Sequence, residues 1–256
     1  MLYLDFLQAL HQRLKPPTYL EIGVRHGHSL ALAERAAIGV DPKPRLQVAV
    51  GERTRIYRQT SDDFFARDRP LRHFDRRAIS LAFIDGLHLA EFALRDFINV
   101  ERLSRWTSVA VFDDIFPREA EWASRERETR AWTGDVFKLM GVLERHRPDL
   151  GLLKVDTEPS GLLLVFALDR DSTALADDYE RIAAEIAVPD PQVVPEDILG
   201  RRGAVAAEAV LESTVWRVLR KARGESTDRE EGARNLRRLL RRDFGKLSGL
   251  PLRARF

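Results

Sequence analysis

Two clusters of polar residues interrupt apolar stretches of this chain. The first is Glu21-Ile22-Gly23-Val24-Arg25-His26-Gly27-His28-Ser29. Glycines at 23 and 27 let the chain turn sharply and let its backbone approach a ligand closely. A helix starting near Ser29 would present free N–H groups and the positive end of its dipole. The spacing is not the G-x-G-x-x-G of dinucleotide folds. Asp41 ends the next apolar run, 20 residues after Glu21. In nucleotide-binding sheets a carboxylate at that place accepts hydrogen bonds from ribose hydroxyls. A glycine turn with a capping aspartate is the plainer reading. Loop and acid together favour an adenosine-bearing ligand.

The second cluster is Phe83-Ile84-Asp85-Gly86-Leu87-His88 with Phe112-Asp113-Asp114. Asp85 and the Asp113-Asp114 pair end two apolar runs that should lie side by side. Three carboxylates so placed repel one another unless a cation compensates. Oxygen donors without cysteine suit a hard ion such as Mg²⁺. Such an ion would bind a hydroxyl or vicinal diol and lower its pKa. His88, three residues past Asp85, is near enough to act as general base.

Other residues must place these groups. Leu2 to Leu14 has helical apolar spacing and stops at Pro16-Pro17. Strands are expected over Tyr19–Val24, Ile38–Asp41, Arg55–Thr60, Ile79–Ile84, Val109–Phe112, Leu152–Val155 and Leu162–Leu168. Helices are expected over Ser29–Ala36, Leu89–Leu103 and Trp132–Arg147. Strands apolar throughout belong in a sheet covered on both faces. Their alternation with helices predicts an open, mostly parallel α/β sheet. The last two strands, joined by Glu158-Pro159-Ser160-Gly161, form an antiparallel pair. Ligands on such sheets sit beyond the carboxyl ends of the strands, where Glu21, Asp41, Asp85, Asp113 and Asp114 fall. After residue 170 the pattern changes. Helical periodicity covers Asp177–Ile186, Ala204–Ala222 and Arg229–Leu247, with a proline-rich stretch at 189–195 between the first two. This predicts a main domain over residues 1–170 and a helical, basic extension over 171–256.

The 256 residues include no cysteine, which excludes thiol catalysis, a disulfide framework and a cysteine zinc site. That composition fits a reducing, cytoplasmic compartment. No apolar run is long enough to span a bilayer, and the N-terminus lacks the marks of a signal peptide. The net charge of +2 hides an asymmetry. Residues 201–256 hold 15 Lys+Arg against 7 Asp+Glu, whereas residues 1–200 hold 27 against 33. An acidic body argues against nucleic acid as the substrate of the main domain.

Glu21-x-Gly23-x-x-x-Gly27 followed by Asp41 resembles the first motif and following acid of the class I S-adenosylmethionine-dependent methyltransferases. The resemblance covers roughly residues 18–168 and implies their Rossmann-like sheet of seven strands with an antiparallel last pair. It places Glu21, Gly23, Gly27 and Ser29 around the amino-acid part of S-adenosylmethionine, Asp41 on its ribose and Asp62 near its adenine, where Ser61 and Asp63 compete. Phe-Ile-Asp-Gly-x-His followed by Phe-Asp-Asp is similar to a narrower group. These are Mg²⁺-dependent O-methyltransferases of macrolide sugars, with relatives in cephalosporin and rhamnosyl tailoring. The likeness implies Asp85, Asp113 and Asp114 as ligands of Mg²⁺ or Mn²⁺, His88 as base, a sugar or other small natural product as acceptor, and self-association into a homo-oligomer. The chain departs from that group at Leu89-Ala90 and in its added C-terminal segment.

Residues 115–138 carry Phe116, Trp122 and Trp132 among charges. They suggest a lid with a stacking surface, or simply packing residues of an amphipathic helix. Asp135 is a further substrate-side or supporting residue. The stripe Ala233, Leu236, Leu240 and Phe244 should pack the last helix, with its arginines exposed or paired to the acidic body. The competing functional reading is a cofactor-binding or scaffold protein whose basic tail recruits RNA, a membrane or a partner protein.

Overall fold

The computed structural model describes residues 1–75, 77–224 and 228–245. Five apolar runs become the parallel core of the sheet: β1 (Thr18–Ile22), β2 (Ala36–Val40), β3 (Thr54–Tyr57), β4 (Ile79–Ile84) and β5 (Ser104–Phe112). β6 (Gly151–Asp156) and β7 (Leu162–Phe166) form the antiparallel hairpin, and β7 also pairs antiparallel with β5. A two-residue eighth strand, β8 (Val205–Ala206), adds parallel to β6, so the sheet reads β3-β2-β1-β4-β5-β7-β6-β8. The chain order reverses between β1 and β4. That switch point opens a crevice at their carboxyl ends.

Alternation along each strand divides the core into two layers. Leu20, Ile22, Ala82, Ile84, Ala110 and Phe112 face one side. This side is covered by α2 (Ser61–Phe65), α3 (Ala90–Arg102), α4 (Lys138–His146) and α6 (Tyr179–Ile186), with α5 (Ala174–Asp177) and α7 (Glu196–Leu199) beside them. Tyr19, Leu81, Phe83, Val109 and Val111 face the other. There the N-terminal helix α1 (Tyr3–Leu14) packs beside α8 (Ala207–Glu212), α9 (Val215–Ala222) and α10 (Arg229–Phe244). Trp216 of α9 meets Phe166 of β7 with ring centroids 5.9 Å apart.

Three elements differ from the periodicity. The helix expected over Ser29–Ala36 is only a 3₁₀ turn, Leu30–Leu32. Leu30 is fully buried and drops over Gly39 of β2, where a Cβ would lie 2.7 Å from Leu30 Cδ2. The crossover therefore closes within a few residues and leaves no length for helical turns. The pattern over Ala204–Ala222 is split: β8 takes its start, and the chain breaks at Ser213-Thr214 between α8 and α9. The helix predicted from Trp132 begins only at Lys138, because Thr133 and Gly134 donate their N–H groups to the carbonyl of Trp122 instead. The last helix keeps its stripe, with Ala233, Leu236 and Leu240 buried. Residues 246 and 247, the end of its predicted span, lie outside the described residues. Arg229 is ion-paired to Asp169, and Arg237 donates to the carbonyl of Asp149 at 2.6 Å. No described helix is long and apolar enough to cross a membrane.

Candidate active site

The glycine turn follows β1 directly. Gly23 has φ +89°, and a Cβ there would sit 1.8 Å from the carbonyl oxygen of Asp85, so only glycine fits. Its N–H donates to Val40, while Asp85 N–H donates to Ile22, both at 2.9 Å. These bonds fasten the turn between β2 and β4. Glu21 lies beneath it, with no exposed surface. Its carboxyl accepts from Tyr19 Oη at 2.6 Å and from Ser29 Oγ at 2.9 Å. Burial pushes its pKa up to about 8 despite those donors. Glu21 and Ser29 thus brace the loop from inside. Asp41 accepts from the backbone N–H groups of Arg25 and Lys43, each at 2.7 Å.

The acid cluster forms where β4 and β5 run side by side, with Ile84 paired to Phe112. His88 lies between two carboxylates: Nε2 is 3.2 Å from Asp85 Oδ1, and Nδ1 is 2.7 Å from Asp114 Oδ2. Ligand atoms of Asp85, His88 and Asp114 all fall within 4.8 Å of one another. Asp113 is buried beside them and accepts from the N–H of Asp114 at 2.9 Å. Burial raises the Asp113 pKa well above the usual carboxylate range, and the charges of Asp114 and Asp85 add to the rise. Burial alone would lower the His88 pKa, but its bonds to Asp114 and Asp85 outweigh it and lift it to about 11. Arg25, His88 and Asp114 adopt positive φ of 45°, 58° and 62°. Such conformations are costly for non-glycine residues and persist where the surroundings impose them.

A cavity of about 410 Å³ joins the two clusters; Gly23, Asp41, Asp85, His88, Asp113 and Asp114 all line it. The segment after β5 also lines it, through Trp122, Arg127, Arg130 and Trp132. The Trp132 ring stacks on His88 at 4.8 Å and 6°. Gly134, at φ +55°, holds this segment against His88: a Cβ there would meet the His88 carbonyl at 1.7 Å. Asp135 is fully buried; it accepts from Ala90 N–H at the start of α3 and pairs with Arg125 and Lys138. It anchors this segment without lining the cavity.

Gly27 and Asp62 are not among the lining residues. Gly27 packs instead under Leu46, and Asp62 is held by Arg95 of α3 at 2.6 Å. Two lining residues carried no sequence signal. Tyr3 comes from α1, stacked on Phe83 at 6.4 Å, and Ser160 comes from the β6–β7 turn. In the sequence the first is one more member of an apolar stripe and the second one more turn residue.

Residues 20–115 match a family model described as a methyltransferase domain. No curated protein matches the sequence. Solved structures with a similar chain path include cofactor-bound Rv0187 from MTB, 16% identical over 65% of this chain and 80% of that one, with a TM-score of 0.50. The O-methyltransferase TomG from Streptomyces achromogenes, involved in tomaymycin synthesis and solved with SAM, is 16% identical over 64% and 78%, with a TM-score of 0.49. An O-methyltransferase from Bacillus cereus, in complex with SAH, is 14% identical over 64% and 80%, with a TM-score of 0.46. The fold is thus the Rossmann-like α/β sheet of those structures, and residues 20–115 of it match a methyltransferase domain.

Proposed function

We propose that the protein is an S-adenosylmethionine-dependent O-methyltransferase acting on a hydroxyl of a sugar or another small natural product, with a divalent cation, Mg²⁺ or Mn²⁺, at the acid cluster. The observation that carries this reading is the single cavity lined both by the glycine turn with Asp41 and by Asp85, Asp113 and Asp114. Its volume suits a small-molecule site.

The residues present fit both groups. Gly23 and Asp41 offer bare backbone and a carboxylate for the cofactor, with Glu21 and Ser29 shaping the loop and Gly27 allowing its turn. Asp62, held outside the lining, would reach an adenine only from the rim. Asp85, Asp113 and Asp114 would hold the cation, whose charge offsets the burial and mutual repulsion that raise the Asp113 pKa. When bound, the cation acidifies a hydroxyl, and S-adenosylmethionine supplies an electrophilic methyl group. His88 takes the hydroxyl proton once its two carboxylate partners are engaged elsewhere; while both hold it, it stays protonated. Trp122 and Trp132 offer flat apolar surface to a sugar ring, and the lid limits water. Positioning supplies much of the acceleration in such a transfer. A cytoplasmic location and a homo-oligomeric state belong to the same reading.

Calorimetric titration with S-adenosylhomocysteine, with and without Mg²⁺, tests it. We expect micromolar binding, about −8 kcal/mol, weakened at least about tenfold in Asp41→Ala. Absence of binding in both conditions would remove the cofactor from the proposal.

A further inference from the structure

We propose that the amino-terminal end of the sheet carries a second binding site, for a compact anionic ligand with two or more phosphate groups. A cavity of about 580 Å³ lies there, between the starts of β4 and β5 and the end of α9. Among the described residues its lining includes Arg77, Arg105, Arg170, Arg223 and Arg229 and not one acidic residue. Of these five, Arg229 is neutralised by Asp169. Among the described residues, Arg77, Arg105 and Arg170 have no carboxylate partner. Arg223 is the most telling member. One of its nitrogens donates to the carbonyls of Leu14 and Lys15, but Nε and Nη2 are buried with no hydrogen-bond acceptor among the described residues. Buried guanidinium N–H groups left unpaired are costly. Burial, together with the charge of Arg220, also pushes Arg223 down to about 10, a strain that a bound anion would relieve.

The chemistry of the lining selects the ligand. Guanidinium groups bind phosphate oxygens through paired N–H bonds. A monocarboxylate would offset one charge among several, whereas a di- or triphosphate offsets most of them. Ser80, Thr107 and Ser108 lie in the same lining. An adjoining cavity shares Arg77, Arg105 and Arg170 and adds Arg69 and Arg72, with Asp75 as its one acid among the described residues, so the positive surface continues past the first pocket. The site lies across the sheet from the acid cluster and is independent of methyl transfer.

Calorimetry of the full chain with inorganic tripolyphosphate, at about 0.15 M salt, decides the matter. Micromolar binding is expected. The double variant Arg105→Ala/Arg170→Ala, at two exposed positions, should weaken it at least about tenfold. Arg234→Ala/Arg238→Ala, on the exposed side of α10, should leave it unchanged. Tighter binding of ATP than of tripolyphosphate would assign the site to a nucleotide, and equal binding to the phosphate chain itself; either supports the site. No binding of tripolyphosphate or ATP would overturn the proposal. So would equal affinity in the Arg105/Arg170 variant, or retention of an RNA oligomer or phosphatidylglycerol vesicles alone.

Discussion

At the carboxyl ends of β4 and β5 the chain gathers Asp85, Asp113 and Asp114 around His88; at the amino ends of the same strands it gathers Arg77, Arg105, Arg170 and Arg223. The two clusters are separated by the length of a strand, roughly 20 Å. In a parallel sheet with helical crossovers, helix N-termini lie at the carboxyl end and helix C-termini at the amino end. Helix dipoles favour anions at the first and cations at the second. Each cluster therefore has the sign that the fold tolerates best, although dipoles alone repay only a fraction of its self-repulsion. The backbone separates the ends further. Gly23, Arg25, His88 and Asp114 line the acidic cavity at positive φ, whereas no described residue lining the basic cavity does. The acidic end fixes atoms with strained backbone and short side chains, as chemistry requires. The basic end uses long side chains on relaxed backbone, and selects charge before shape.

The comparison breaks most visibly if the acidic end is electrostatic only in appearance. Asp113→Asn keeps the shape and removes a carboxyl group able to hold a cation. We expect turnover to fall by about 10²–10³-fold, a loss of roughly 3–4 kcal/mol of transition-state stabilisation. Affinity for S-adenosylhomocysteine should stay within about threefold of the parent. Full activity in this variant, measured by transfer of labelled methyl, would take the cation out of the mechanism. Next in size is Gly23→Ala. Its Cβ would overlap the Asp85 carbonyl, and φ +89° disfavours any side chain. Denaturant unfolding should show a loss of more than about 2 kcal/mol, together with loss of cofactor binding. A variant as stable as the parent would mean that the turn is looser than its geometry implies.

Much of this acidic end was legible because its groups sit where strands stop. Apolar runs such as Ile79–Ile84 announce a strand, and the aspartate that ends each run marks the sheet edge. Glycines 23 and 27 announce a turn, and both do adopt positive φ. The basic end was not legible. Arg77, Arg105, Arg170 and Arg223 are far apart in sequence and share no periodic spacing, so only the fold brings them together. The C-terminal asymmetry drew attention to the arginines from Arg234 to Arg242, yet it is Arg223 and Arg229 that line the cavity. The spacing of apolar residues also misled at Ser29–Ala36. A single buried leucine over a glycine strand position fixes that crossover, and such a pairwise fit leaves no periodic trace.

A last test sharpens the contrast through pH. Two buried carboxyls lie under the acidic end, Glu21 with a pKa of about 8 and Asp96 at about 7, each raised chiefly by desolvation. Their ordinary values are 4.5 and 3.8. Between the ordinary and the raised value the folded chain binds a proton that the unfolded chain has released. Stability therefore falls as pH rises through that window, and the loss is complete above the folded pKa. Each group contributes a slope of at most about 1.4 kcal/mol per pH unit. Arg223, the perturbed group at the basic end, titrates well above this range at about 10. Urea unfolding from pH 5 to pH 9 should thus show a decline that Glu21→Gln and Asp96→Asn each reduce, while Arg223→Ala leaves its slope unchanged. Glutamine suits the Glu21 site, because the hydroxyls of Tyr19 and Ser29 can accept as well as donate. An undiminished slope in both carboxyl variants would place the pH sensitivity elsewhere and deny the acidic end its distinct electrostatic character.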